Sequence, residues 1–297
     1  VGLLYSFDMA WAYDVAYVYP RSTWVDGISY WMMLEKYYTH FWRHNVPMQP
    51  LTPDDDLSDY PLVVAPCLYL VNDEIIDKLF AYVERGGTLI VGPASGTKDW
   101  NNVYVEHLPP AGKLRELFGC ALVGGGRRFR MEPLTVLIEN DAPFAAGEAF
   151  PGQPIPSEER HLFGRMRPSE ELRAEGATVF ARFEGSGMPA GTWNKYGKGN
   201  AIYLGWSPND AFFDAMIPWL EAQDKLFTVF DTPPGVEATL REGKDGKLIF
   251  LTNHNFAPVT IKLDKPYLEL VSNEVLRESL TVKEQAACIL SATESEK

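Results

Sequence analysis

The stretch PLVVAPCLYLVNDEIIDKLFAYVERGGTLIV, residues 61–91, carries the strongest structural signal in the chain. Its opening PLVVAP is a short continuous apolar run, the mark of a strand buried on both faces. Asn72 then offers an N-cap, and Asp73 and Glu74 suit the positive end of a helix dipole. Ile75, Ile76, Leu79, Phe80 and Val83 recur at helical spacing. Gly86-Gly87 supplies a left-handed stop before a second apolar strand at 88–91.

The same alternation extends in both directions. Residues 1–5 read as a strand, 27–44 as a helix stopped by Asn45-Val46-Pro47, and 48–51 as a short strand. Strand and helix alternating with short links predict a parallel sheet covered on both faces, an α/β flavodoxin-like open sheet. Beyond Gly92 the pattern loosens. PPAGKLRELFG predicts a short helix ending at Gly119, 133–139 a strand, and 141–173 a loop with short turns. Strands follow at 178–183, 191–196 and 200–206, the last two joined by the hairpin signal Gly197-Lys198-Gly199, and 210–223 predicts a closing helix. From Thr232-Pro233-Pro234-Gly235 onward the helical period disappears. Short runs at 236–241, 247–253, 259–263, 267–271 and 286–290, with Asp245-Gly246 and Lys265-Pro266 as turns, predict a small all-β sandwich. The expected division is 1–228 and 229–297.

Composition narrows the function. The 297 residues are 46% hydrophobic, enough for a sizeable core, and no stretch approaches the roughly 20 apolar residues of a membrane helix. Lys plus Arg is 27 against 40 for Asp plus Glu, a net charge of −13. Such a surface repels phosphate backbones, so no nucleic-acid or membrane partner is expected. Arg127-Arg128-Phe129-Arg130 reads as an exposed turn entering a strand. The cysteines Cys67, Cys120 and Cys288 are odd in number and far apart, which fits a reducing compartment and a cytoplasmic location.

The search for chemistry returns little. Cys67 follows a predicted sheet strand, where a nucleophile can sit, but no histidine among His40, His44, His107, His161 and His254 falls in a base motif. It reads as a buried structural thiol. The carboxylate runs Asp54-Asp55-Asp56, Glu158-Glu159 and Glu170-Glu171 read as solvated loops, since neighbouring residues cannot face each other across a glycosidic bond. The calcium-loop frame from Asp54 fails, with Asp59 at its sixth position and Ala65 at its twelfth. P-loop, GxGxxG, HExxH and GxSxG patterns are missing. No catalytic residue, metal or cofactor is expected.

Aromatic density stands out instead. Thirteen of 38 aromatic residues fall within residues 5–42. Trp31, Leu34, Tyr38 and Phe41 form one stripe of the predicted first helix, Tyr30, Met33 and Tyr37 a second, with Trp42 between them. A helix covering one sheet face needs only one stripe. The surplus points to a partner subunit, another domain or a stacked sugar ring, with a deep core within this chain as the alternative. Asp8, Trp11, Tyr13, Trp24, Tyr30, Trp31 and Tyr37 are the candidate substrate or interface residues.

Several stretches together resemble glycoside hydrolase family 42 β-galactosidases: VGLLYSFDMAWAY, LSDYPLVVAPCLYLV, VERGGTLIVGPASGTKDWNN, PPAGKLRELFG, YGKGNAIYLG and GVEATLRE followed by GKLIFLTNHN. PxGxLRELxG shortly after GGTLIVGPxSG is the most specific combination. The resemblance implies an N-terminal TIM barrel, a flavodoxin-like trimerisation domain and a small C-terminal β-sandwich, of which this sequence resembles the second and third. Both family catalytic glutamates lie in the barrel, so none is carried over. The implied partners are a homotrimer or a missing catalytic barrel, and the start of the chain inside a strand is expected to resume where such a barrel ends. The trimerisation domain is also similar in fold to class I glutamine amidotransferases. Their nucleophilic cysteine follows the strand after the one preceding Cys67, a turn that reads Gly92-Pro93-Ala94-Ser95-Gly96 here. Three functions follow in order: an assembly portion of a β-galactosidase-like enzyme without catalysis of its own, a stand-alone carbohydrate-binding accessory protein, and a Cys67-dependent amidotransferase-like hydrolase.

Overall fold

The computed structural model describes residues 1–17, 29–126, 134–151, 169–244 and 246–292. Trp24, His161, Glu158-Glu159, the Arg127–Arg130 run, Asp245 and residues 293–297 lie outside the described residues. The chain forms two compact units, Val1–Tyr38 with Gln49–Leu226, and Thr39–Met48 with Phe227–Lys297.

The larger unit opens with β1 (Gly2–Leu4), α1 (Phe7–Tyr17) and α2 (Tyr30–Arg43), the last turn of α2 falling in the smaller unit. β2 (Gln49–Leu51), β3 (Leu62–Ala65), β4 (Leu70–Val71), α3 (Asp73–Glu84), β5 (Thr88–Val91), β6 (Lys98–Asp99) and α4 (Lys113–Phe118) follow. The remainder is β7 (Cys120–Gly126), β8 (Val136–Ile138), β9 (Ala149–Phe150), β10 (Ser169–Ala174), β11 (Thr178–Phe183), β12 (Pro189–Tyr196), β13 (Gly199–Leu204) and α5 (Asp210–Ala222).

The expected flavodoxin-like open parallel sheet is not what forms. Nine strands order as β2-β1-β3-β5-β13-β12-β11-β8-β9. β2, β1, β3, β5 and β13 run parallel, and every pairing from β13 outward to β9 is antiparallel. The sheet is therefore mixed. The reason lies in connection length: a parallel neighbour needs a crossover of a dozen or more residues, whereas the Gly197-Lys198 turn returns β12 directly onto β13. The 141–173 segment, read as loop, contributes β9 and the β10 strand that pairs antiparallel with β7.

The centre of the parallel half is buried on both faces, from Leu62–Ala65 in β3 to Leu89, Ile90 and Val91 in β5. α3 is capped as its sequence predicts, Asn72 Oδ1 accepting the Ile75 N–H at 2.9 Å. Two glycines mark backbone crowding. A Cβ at Gly92 would lie 2.2 Å from the Pro66 carbonyl oxygen, and one at Gly199 would lie 2.2 Å from both the Val83 and Gly87 oxygens. No side chain fits at either place.

The smaller unit comprises β14 (Val236–Gly243), β15 (Gly246–Asn253), β16 (Val259–Lys262), β17 (Tyr267–Glu269), β18 (Glu274–Leu276), β19 (Ser279–Val282) and β20 (Ala287–Ala292). A five-stranded sheet, β14-β15-β20-β17-β18, and the pair β16-β19 enclose a core that includes Val236, Leu251, Ile261, Tyr267, Val282 and Leu290. β18 and β19 fall between the strands expected from sequence. Asn45 belongs to this unit. Its backbone is left-handed (φ 53°), and its amide donates to the Phe230 carbonyl at 2.9 Å and Thr232 Oγ1 at 2.7 Å while accepting the Ala238 N–H at 2.8 Å.

Candidate interaction surface

Residues 7–17, read only as an aromatic run after a strand, fold as a helix. α1 is apolar around most of its circumference: Met9, Ala10, Ala12 and Tyr13 are buried, while Phe7, Trp11 and Val15 remain exposed. Phe7, Trp11 and Val15 stand at i, i+4 and i+8, one stripe of the helix surface. Its start is tied to α2, because the Ser6 N–H donates to the Tyr30 hydroxyl at 3.0 Å. Asp14 answers from α1, Oδ1 accepting the Tyr30 N–H at 3.0 Å at the start of α2.

This pairing gathers an aromatic cluster. The Phe7 ring meets Trp31 edge-to-face at 5.2 Å, Trp11 at 6.1 Å and Tyr5 edge-to-face at 6.1 Å. Phe7 is 56% exposed, Trp11 66% and Trp31 40%. Exposed apolar groups standing singly are ordinary, whereas these rings are contiguous and open to water, which makes them the candidate interaction surface.

The predicted site residues divide accordingly. Trp11 and Trp31 join the cluster, and Asp8 is exposed in the first turn of α1. Tyr13, Tyr30 and Tyr37 are instead core side chains. Tyr13 packs edge-to-face on Tyr69, and Tyr37 on Phe213. Burial raises the phenol pKa of Tyr30 and Tyr37. The two sequence stripes of α2 are redistributed: Tyr30, Met33, Leu34 and Tyr37 face inward, whereas Trp31 and Tyr38 face water. Phe7 is not among the sequence candidates, because the near-continuous apolar character of residues 7–17 hides their helical period. Its four-residue spacing from Trp11 is the signal that finds it.

The other candidate locus is Cys67. Its thiol is buried, and burial pushes its pKa well up, with the nearby charges of Glu170 and Asp14 acting in the same direction. A thiol so placed stays protonated and is a poor nucleophile. The turn after β5 places Ala94, not a nucleophile, in a left-handed conformation (φ 65°). Glu170 corrects the reading of Glu170-Glu171 as solvated loop. It is buried on β10, with Oε1 accepting the Ala94 N–H at 2.8 Å and Oε2 the Tyr203 hydroxyl at 2.7 Å. Burial outweighs these two bonds and raises its carboxyl to about 7. The node fastens the 92–96 turn to β10 and β13. Asp55 and Asp56 do lie in exposed turns, accepting from Thr52 and Ser58.

Among the described residues no three His, Cys, Asp or Glu side chains group to hold a metal, and no helix is long and apolar enough to cross a membrane. These features define a two-unit protein whose conspicuous surface is aromatic. The profile of the β-galactosidase trimerisation domain matches residues 1–143 and 156–226, and that of the β-galactosidase C-terminal domain matches 235–290. The chain belongs to the glycoside hydrolase family 42 β-galactosidases.

β-Galactosidase BgaB of Geobacillus sp. strain Y412MC61 is 28% identical over 283 residues, covering 93% of this chain and 38% of the relative. β-Galactosidase Pbg of Clostridium perfringens is 27% identical over 291 residues, covering 95% of this chain and 39% of the relative. The crystal structure of β-galactosidase from Bacillus circulans sp. alkalophilus superposes with a TM-score of 0.85 at 22% identity, covering 98% of this chain and 41% of that one. The chain thus spans about two-fifths of the length of the relatives it matches.

Proposed function

We propose that this chain is an assembly portion of a β-galactosidase-type glycoside hydrolase, dividing into domains at 1–228 and 229–297, and that the first domain self-associates as a homotrimer. The observation that carries the reading is the open cluster of Phe7, Trp11 and Trp31, whose rings gain most when a second surface excludes water from them. The description of the matching domain as a trimerisation domain supports the stoichiometry. An enzyme containing this portion would hydrolyse terminal non-reducing β-D-galactosides through residues outside the chain. The three free, buried thiols fit a reducing compartment, and the cytoplasm is the proposed location.

Light scattering on the purified chain across a concentration series tests the assembly. The expected result is a mass rising toward three chains, and a strict monomer throughout would overturn it. Incubation with a chromogenic galactoside tests the catalytic half, where turnover above a buffer blank would count decisively against the reading.

The exposure of the Trp11 indole favours a second reading, in which this face stacks on a sugar ring. Titration with galactose, lactose and galactan separates the two. Saturable binding lost in Trp11→Ala, with assembly unchanged, would replace the first reading by the second.

A further inference from the structure

Away from the aromatic cluster, a concave surface of the larger unit is formed by the ends of β12 and β13, their hairpin turn, and the last turn of α5 with the residues after it. The cleft has a volume of about 270 Å³, and Trp193, Lys195, Lys198, Trp219, Gln223 and Lys225 are among its lining residues. The indoles are held firmly. Trp193 Nε1 donates to Asn200 Oδ1 at 2.9 Å, and Trp219 stacks on Phe144 at 5.1 Å. The two rings meet nearly at right angles, 81° with centroids 6.0 Å apart, making an apolar corner.

The charge lining this corner runs against that of the chain, although Glu84 packs beside Gly197 at the hairpin turn. Acidic residues outnumber basic ones 40 to 27 overall, yet three lysines and no carboxylate line the cleft. Lys225 Nζ is anchored by the Gly86 carbonyl at 3.2 Å, and Lys195 Nζ lies 5.4 Å from the Trp193 ring centroid. Three ammonium groups lining one concavity make a local positive potential that attracts an anion.

We propose that this cleft binds a small anionic pyranose, one sugar ring carrying a carboxylate or a phosphate. The indole corner receives the apolar face of the ring, the lysines its charge, and the Gln223 amide its hydroxyls. The volume falls just below the roughly 300–1,000 Å³ of drug-sized pockets, which suits a single ring. Right-angled indoles, one face of Trp219 already covered by Phe144, also lack the parallel slot that a nucleobase needs.

Isothermal titration of the purified chain with galacturonate, galactose 6-phosphate, galactose and inorganic phosphate tests this. Saturable heat is expected from at least one anionic sugar, and which one responds identifies carboxylate or phosphate as the recognised group. Galactose and inorganic phosphate should each bind about tenfold more weakly or not at all, since each lacks half of the recognition. The double variant Lys195→Ala/Lys198→Ala removes two exposed ammonium groups and should weaken binding by about tenfold or more, with an unchanged circular dichroism spectrum and Tm. Three results would each overturn the proposal: no saturable heat from either anionic sugar up to about 10 mM, undiminished affinity in the double variant, or inorganic phosphate binding as tightly as the sugars.

Discussion

The Phe7 ring stands edge-to-face on the Trp31 indole, their centroids 5.2 Å apart, joining the first turn of α1 to the first turn of α2 while both remain open to water. Neither ring is spent on the core of its own unit. Trp11→Ser removes the most exposed indole of the cluster and should leave the folding free energy of the chain within about 0.5 kcal/mol. It should weaken self-association by about tenfold or more, as truncation of an aromatic anchor does. Sedimentation velocity beside urea unfolding reads both, and an association constant equal to wild type would remove this face from the interface.

Glu170 makes stability depend on pH near neutrality. Its folded carboxyl is raised from 4.5 to about 7, so between those values the native state binds a proton that the unfolded chain has lost. Its contribution is complete below pH 4.5 and disappears as pH rises through about 7, a difference on the order of 3 kcal/mol. Glu175 works in the opposite window. Ion pairs with Arg115 and Arg173 hold it at about 2, so it loses stabilisation only in acid below 4.5. In Glu170→Gln the Tm relative to wild type should be lowest near pH 4.5, rise up to about pH 7 and level off above it. A pH-independent difference between the two proteins would show that Glu170 does not titrate in this range.

The Asn45 side chain makes three hydrogen bonds within the smaller unit from a left-handed backbone. Asn45→Ala strips all three and should cost about 2–4 kcal/mol in urea unfolding. Asn45→Gly relaxes the backbone alone and should recover no more than about 1 kcal/mol of that loss. Full recovery by glycine would mean that the backbone, not the amide, makes the difference.

The cysteines give a direct test of burial. Burial raises the thiol pKa of Cys67, of Cys120 to about 12 and of Cys288 to about 11. Native chain at pH 8 should resist a chromogenic thiol reagent, and denaturant should release three reactive thiols. Fast labelling of Cys67 in the native chain would contradict its placement.

Local chemistry was legible wherever a residue's preference has one outlet. Asn72 caps α3, Gly119 takes the left-handed position after α4, and the apolar run at 62–65 forms a buried strand. The candidate site was legible only in part, because an aromatic residue gains from burial against any neighbour. Tyr30 and Trp31 are adjacent and chemically alike, yet one is wholly buried and the other 40% exposed. Their separation comes from α1, whose helical period is hidden because nearly every position in FDMAWAYDVAY is apolar.

By itself the sequence determined the buried strands, the helix caps, the hairpin turns and the family to which the chain belongs, since each is written in residues close together or in an ordered set of motifs. The tertiary structure decided that the sheet is mixed, that Glu170 is buried beneath Ala94 and Tyr203, and which aromatic rings face water. Those outcomes depend on which strand lies beside which, and strand order is settled by packing and connection length between segments far apart in the chain.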